Sequence, residues 1–207
     1  KVFEVCGFPP PSSGAIAIGQ ILGFLQHAPT AFRAPVNGEF DADWLHDYAQ
    51  ASRLAFADRA QYVADPDFVH APAQDWQSLL DPAYLKLRAQ LMGPTSLKQV
   101  PAGTPLRAQK SVYAPMPVQA EFGTSHISVI DAYGNALAMT TTIENAFGAR
   151  QMVRGFLLNN ELTDFSFVPQ DTQGRLIANR VQANKRPRSS MSPTLVFDKR
   201  TGELLMS

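Results

Sequence analysis

Apolar positions along this chain recur at helical spacing in its first half and alternate in its second. Ile18, Ile21, Leu22 and Leu25 share one helical face behind Ser12 and Ser13, either of which can cap, so a helix is expected from there to just before Pro29. A second helix starts at Asp41 or Asp43 and runs to about Val63, with Leu45, Tyr48, Ala55 and Tyr62 on its inner stripe. A third opens at Asp81-Pro82, where proline suits the first turn, and stops near Gly93-Pro94, burying Tyr84, Leu87 and Leu91. Between Pro94 and Gly123 the prolines at 94, 101, 105, 115 and 117 leave no sustained period, which predicts an irregular arm. Strand patterns follow at 126–131, 136–143, Phe156-Leu157-Leu158, Thr194-Leu195-Val196-Phe197 and Leu204-Leu205-Met206, the last two around a turn at 198–202. Helices first and strands later predict an α+β fold.

The strands on either side of Ala132-Tyr133-Gly134-Asn135 form one predicted hairpin. Antiparallel partners have a constant sum of residue numbers, so a turn near Tyr133 or Gly134 brings Thr124 opposite Thr142 or within one residue of it. A threonine hydroxyl is a weak nucleophile without a base, and one solution is a chain cut just before it, so that its own α-amine accepts the proton. Gly123 suits such a cut by leaving the scissile carbonyl unshielded and allowing backbone strain. Spacing alone favours a plain hairpin whose threonines serve strand propensity.

Composition narrows the partners. Among 207 residues, eighteen basic and eighteen acidic side chains cancel, so no overall field favours nucleic acid or anionic membrane. The run Lys185-Arg186-Pro187-Arg188 reads as a solvated loop with a local attraction for a substrate carboxylate as its alternative. Cys6 is the lone cysteine, which excludes an internal disulfide or cysteine metal cluster, and His27, His46 and His70 are too scattered for a zinc site. No metal or other cofactor is expected.

Several ordered motifs add to this picture: Pro9-Pro10-Pro11-Ser12-Ser13-Gly14, Ala55-Phe56-Ala57-Asp58-Arg59, Asp65-Pro66-Asp67-Phe68-Val69, Thr124-Ser125-His126, Thr140-Thr141-Thr142-Ile143-Glu144, Phe147-Gly148, the segment 156–165 containing Asn159-Asn160-Glu161, and the segment 184–194 containing Ser189-Ser190. Together they resemble the γ-glutamyltransferase family, also called γ-glutamyltranspeptidase or glutathione hydrolase, over nearly the whole chain. The resemblance implies the four-layer αββα sandwich of N-terminal nucleophile hydrolases. It also implies a cut at 123/124, with residues 1–123 ending the large subunit, residues 124–207 beginning the small catalytic one, and the two forming one structural domain and a heterodimer. The activity it implies is γ-glutamyl transfer to an amine or to water, in a periplasmic or extracellular setting.

Matched residue by residue, the resemblance makes Thr124 the nucleophile, first against the Gly123 peptide and then against a γ-glutamyl amide. Thr142 would hydrogen-bond the Thr124 hydroxyl or amine. Asp164 matches the family's ammonium-binding aspartate, Glu144 and Glu161 match positions that are amide or acid among relatives, and Ser189 and Ser190 would bind the substrate α-carboxylate through hydroxyl and backbone N–H donors. His126 is not needed as a base, since the nucleophile carries its own amine. A tyrosine that closes over the donor in some relatives has no counterpart between Ser166 and Asn184, where Asp171-Thr172-Gln173-Gly174-Arg175 reads as a solvated turn.

A chain opening on Lys1-Val2-Phe3 without methionine reads as an excerpt. The family's carboxylate-binding arginine is expected upstream, and its oxyanion-hole glycine pair beyond Ser207. Two rivals stay open: a glutaryl or cephalosporin acylase using the same nucleophile, and a catalytically silent structural or interaction domain.

Overall fold

The computed structural model describes residues 2–121 and 123–207. A first strand, β1 (Phe3–Gly7), leads into helix α1 (Gly14–Leu25), and helices α2 (Ala42–Tyr62) and α3 (Pro82–Ala89) follow. Next come the hairpin strands β2 (Ser125–Ile130) and β3 (Ala136–Thr141), then the short strands β4 (Met152–Val153) and β5 (Phe156–Leu157). The last two are β6 (Thr194–Asp198) and β7 (Leu204–Met206).

The helix boundaries follow their caps. Asp41 accepts from Trp44 N at 2.9 Å, and Asp81 accepts from Ala83 N at 2.9 Å and Tyr84 N at 3.1 Å with Pro82 in the first turn. Ser13 holds the cap position of α1 but donates its hydroxyl to Ser189 O at 2.8 Å, so it ties the helix to a distant segment. The buried faces are shifted from those expected. In α1, Ile16, Gln20 and Phe24 point inward while Leu22 is exposed. In α2, Leu45 and Tyr48 are exposed, and Tyr48 stacks on Trp44. In α3, Leu85 and Ala89 are buried in place of Leu87 and Leu91.

Phe24, Ala51, Leu54, Ala55, Leu85 and Ala89 form the apolar contact between the helices. A Cβ on Gly23 would come within 2.5 Å of Leu85 Cδ1, so the bare backbone there sets the approach of α1 to α3. Beside this core, the fully buried Asp58 accepts from Gln20 Nε2 (2.9 Å), Tyr84 Oη (2.6 Å), Arg88 Nη2 (3.1 Å) and Gly103 N (2.8 Å). This polar knot fastens the start of the proline-rich arm to the helices.

The sheets are small. The order β1-β6-β7 is antiparallel, with Val5 opposite Val196 and Val196 opposite Met206. β1 has no counterpart in the sequence expectations, because its partner lies at the other end of the chain. β2 pairs with β3 and β4 with β5. The four-layer sandwich needs two larger stacked sheets, whereas the described residues contribute one three-stranded sheet and two hairpins. The arm holds no helix or strand among its described residues, but Met116 N donates to Ala60 O (2.9 Å) and Ala114 N to Leu176 O (2.8 Å), which pins it along α2 and the 169–177 loop.

Candidate functional site

The hairpin register pairs Ser125 with Thr141 and His126 with Thr140, so Thr124 and Thr142 stand at its open end as the constant sum requires. The Thr142 hydroxyl donates to the carbonyl oxygen of Gly123 at 3.3 Å and accepts from Glu144 N at 2.8 Å. In the continuous chain this hydrogen bond falls on the peptide ahead of Thr124. Nothing lies within 4 Å of a Cβ built on Gly123. His126 lies on the hairpin surface, its ring nitrogens 2.8 Å from Thr140 Oγ1 and 3.2 Å from Ser128 Oγ.

Past Thr142 the chain turns through Glu144, a non-glycine residue with φ of 70°, a conformation that favours glycine and persists only where surroundings fix it. Asn160 supplies that fixing. Its amide donates to Glu144 Oε2 (2.7 Å), its side-chain oxygen accepts from Asn145 N (2.9 Å), and its N–H donates to Ile143 O (3.2 Å). Asn160 therefore clamps the β3 exit to the single 3-10 turn Glu161–Asp164. Its place in the Asn-Asn-Glu motif was visible in the sequence, but its role was not.

Glu144, Glu161 and Asp164 come together. Burial raises the carboxyl of Glu161 to about 7, aided by the charge and hydrogen bond of Asp164 and the charge of Glu144. Burial likewise raises Asp164 to about 6, followed by the charges of Glu144 and Glu121. Such a group is short of a cation. The turn is held from behind: Asn179 Nδ2 donates to Asp164 O at 2.7 Å, and Gln119 of the arm donates to Thr163 O and Phe165 O at 3.0 Å each.

Ser189 and Ser190 separate in role. Ser189 N donates to Pro11 O (3.2 Å), and its hydroxyl accepts from Met191 N (3.0 Å). The Ser189 N–H is thus taken up inside the fold. Ser190 is exposed, with its hydroxyl 2.5 Å from Arg59 Nη2. Arg59 also donates to Glu121, at 2.9 Å from Nη1 and 3.2 Å from Nη2. Neither Arg59 nor Glu121 stood among the expected site residues. Arg59 lies in the Ala55-Phe56-Ala57-Asp58-Arg59 motif, but nothing local joins it to the arm. A cleft of about 810 Å³ runs beside them, between α2 and the arm.

The basic run is not a solvated loop. Lys185 is buried and donates to Ala178 O (2.5 Å), while Arg186 bonds Asp65 through its backbone N–H (2.8 Å), Nε (3.1 Å) and Nη2 (2.6 Å). The run staples the Ser189-Ser190 segment to the turn after α2. The 171–175 turn is solvated as expected, closed by Asp171 accepting from Gln173 N and Arg175 N at 2.9 Å each.

The profile of the family described as Gamma-glutamyltranspeptidase matches residues 1–207. The glutathione hydrolase proenzyme of Bacillus subtilis (strain 168) is 39% identical, over 94% of this chain and 32% of the relative. The acylase ACY 1 proenzyme of Pseudomonas sp. (strain V22) is 33% identical, over 93% of this chain and 30% of that relative. The chain thus spans about a third of the length of the curated relatives it matches. Among solved structures, a cephalosporin acylase from Bacillus halodurans superposes with a TM-score of 0.70 at 20% identity, over 98% of this chain and 32% of that one, a likeness of fold.

Proposed function

This chain belongs to the Gamma-glutamyltranspeptidase family, and from that membership we propose γ-glutamyl transfer and hydrolysis through an autoprocessed N-terminal threonine. Thr124 Oγ attacks the Gly123 carbonyl, the acyl group moves from nitrogen to oxygen, and water hydrolyses the ester, leaving Thr124 with a free α-amine. That amine then takes the Thr124 hydroxyl proton during attack on a γ-glutamyl amide and returns it to the departing amine. The acyl-enzyme passes to water or to an amine acceptor.

The observation that carries this reading is the Thr142 hydroxyl donating to the Gly123 carbonyl at 3.3 Å, at the one peptide whose cleavage exposes Thr124 as a terminus. A donor on a carbonyl oxygen stabilises the negative charge that develops there under attack. The cation-poor cluster of Glu144, Glu161 and Asp164 supports a donor bearing an ammonium group. We further propose the αββα sandwich in the whole protein. The half-exposed apolar face of Ile127, Val129, Leu137 and Met139 on the hairpin would pack in it. Pairing of large and small subunits and a periplasmic or extracellular setting belong to the same proposal. None of the described helices is long and apolar enough to cross a membrane.

The acylase relative favours a second reading, with the same nucleophile and another acyl group, for which we take glutaryl. The two differ at Asp164, because a glutaryl donor has no ammonium. Asp164→Ala in the full-length enzyme separates them: it raises the KM for γ-glutamyl-p-nitroanilide and leaves the glutaryl anilide nearly unchanged under the first reading. Equal losses on both donors would refute it.

A further inference from the structure

The Thr142 hydroxyl has one hydrogen, and two neighbours decide where it points. The Glu144 N–H can only donate, and it reaches Thr142 Oγ1 at 2.8 Å; the Gly123 carbonyl can only accept, and it lies 3.3 Å from the same oxygen. Thr142 Oγ1 therefore receives one hydrogen bond and gives the other, and the first polarises the hydroxyl for the second. The donor toward the peptide ahead of Thr124 is only as well aimed as the N–H of Glu144.

That N–H is aimed by an uncommon backbone. Glu144 is buried and has φ of 70°, in the left-handed region that a residue with a side chain rarely adopts. Three contacts with Asn160 bracket it. The Asn160 N–H donates to Ile143 O at 3.2 Å, Oδ1 accepts from Asn145 N at 2.9 Å, and Nδ2 donates to Glu144 Oε2 at 2.7 Å. One residue thus holds the backbone on both sides of Glu144 and its carboxylate as well. The amide is itself fixed, because the Asn145 N–H demands an oxygen on that side. Nδ2 also donates to Thr163 Oγ1 at 3.0 Å, whose hydroxyl donates back to Asn160 O at 2.9 Å.

We propose that Asn160 is a positioning residue for the cut at 123/124. By holding Glu144 left-handed it directs the Glu144 N–H onto Thr142 Oγ1, and so the Thr142 hydroxyl onto the Gly123 carbonyl. The proposal rests on the self-cleavage reading above. In that reaction the bond from Thr124 Oγ1 to the Gly123 carbonyl carbon forms, the C–N bond breaks, and the Thr124 hydroxyl proton ends on the released amine. Between the two events the carbonyl oxygen carries the negative charge that the Thr142 donor stabilises. Asn160 acts on this oxygen only through Glu144 and Thr142, so its effect is bounded by that of Thr142. Glycine reaches a φ of this kind without help, so Glu144→Gly should make the clamp dispensable.

The test follows cleavage of the full-length chain by intact mass, at a temperature where circular dichroism shows each variant folded. Asn160→Ala should slow the cut about tenfold or more, and by no more than Thr142→Val does. In the Thr142→Val background it should change the rate by less than about twofold, since the hydroxyl it serves is gone. Adding Glu144→Gly to Asn160→Ala should recover most of the lost rate. A residue that merely supports the fold would slow both backgrounds alike and would gain nothing from a freer backbone at 144. A wild-type rate in Asn160→Ala, an equal loss in the Thr142→Val background, or no recovery with Glu144→Gly would each overturn the proposal. Should Asn160→Ala fail to fold, Asn160→Asp takes its place, because it keeps the shape and the acceptor for Asn145 N but loses the donor to Glu144. A wild type that is never cut would overturn the self-cleavage reading and the proposal with it, whereas a cut wild type with an indifferent Asn160 overturns the proposal alone.

Discussion

The Thr142 hydroxyl donates to the carbonyl oxygen of Gly123 at 3.3 Å, so the two strand ends of the hairpin meet across the peptide bond ahead of Thr124. This gives Thr142 a role in the cut that is separable from orienting the nucleophile. Thr142→Val, which keeps the shape and removes the donor, should slow self-cleavage by up to about 10²–10³-fold, the range for one donor at a developing oxyanion. Thr142→Ser should restore most of the rate. The time course of chain cleavage on denaturing gels measures both, and a Thr142→Val chain cut at the wild-type rate would remove Thr142 from the reaction.

A Cβ added at Gly123 would meet nothing within 4 Å. Crowding therefore does not require glycine there, and Gly123→Ala should still be cut, within about tenfold of the wild-type rate. Gly148 provides the contrast: with φ of 50°, its added Cβ would lie 2.0 Å from Leu158 O. Mass spectrometry of the Gly123→Ala product tests the point, and a wholly uncut chain would show that the cut needs a geometry only glycine supplies.

The acidic cluster has a definite pH signature. Glu161 and Asp164 are raised to about 7 and about 6, first by burial and then by neighbouring carboxylates. A carboxyl with a raised folded pKa contributes stability fully below its unfolded value near 4 and loses that contribution as pH rises through about 6 to 7. Thermal unfolding of wild type against Glu161→Gln should therefore show the wild type losing ground between about pH 4 and about pH 7, while the variant changes less. An ammonium ligand favours the ionised forms, so donor affinity should rise over the same interval. A stability difference independent of pH would contradict the cluster's coupling.

Much of the fold was legible where local chemistry decides it. Asp41 and Asp81-Pro82 cap their helices as their residue types predict, and the constant sum of an antiparallel hairpin brought Thr124 opposite Thr142 before any coordinates. The buried faces were less legible. Counting apolar residues put Leu45 and Tyr48 inside α2, whereas Asp47, Gln50, Asp58 and Arg59 take the interior because each finds a partner from another element. No local period can reveal such partners. The same holds for the site: the acids 144, 161 and 164 could be grouped from their motifs, but the meeting of Arg59, Glu121 and Ser190 joins a helix, the arm and a late loop.

Asp58 is the most exacting of these buried partners, with four donors around one carboxylate. Its removal leaves Arg88 buried without its counter-ion and frees Gly103 at the root of the arm. Asp58→Ala should destabilise the protein by about 3–5 kcal/mol, the range for breaking a buried pair from one side. Urea unfolding checks this, and a loss under about 1 kcal/mol would mean that water or rearrangement replaces the knot.

The central claim is that Thr124 becomes a chain terminus through its own hydroxyl, and intact mass with N-terminal sequencing of the full-length protein tests it most directly. Purified wild type should yield two chains, the smaller beginning Thr-Ser-His, and Thr124→Ala should remain a single chain without γ-glutamyl turnover. A wild-type chain that stays whole while turning over γ-glutamyl-p-nitroanilide, or a Thr124→Ala chain cut at the same bond, would contradict the account.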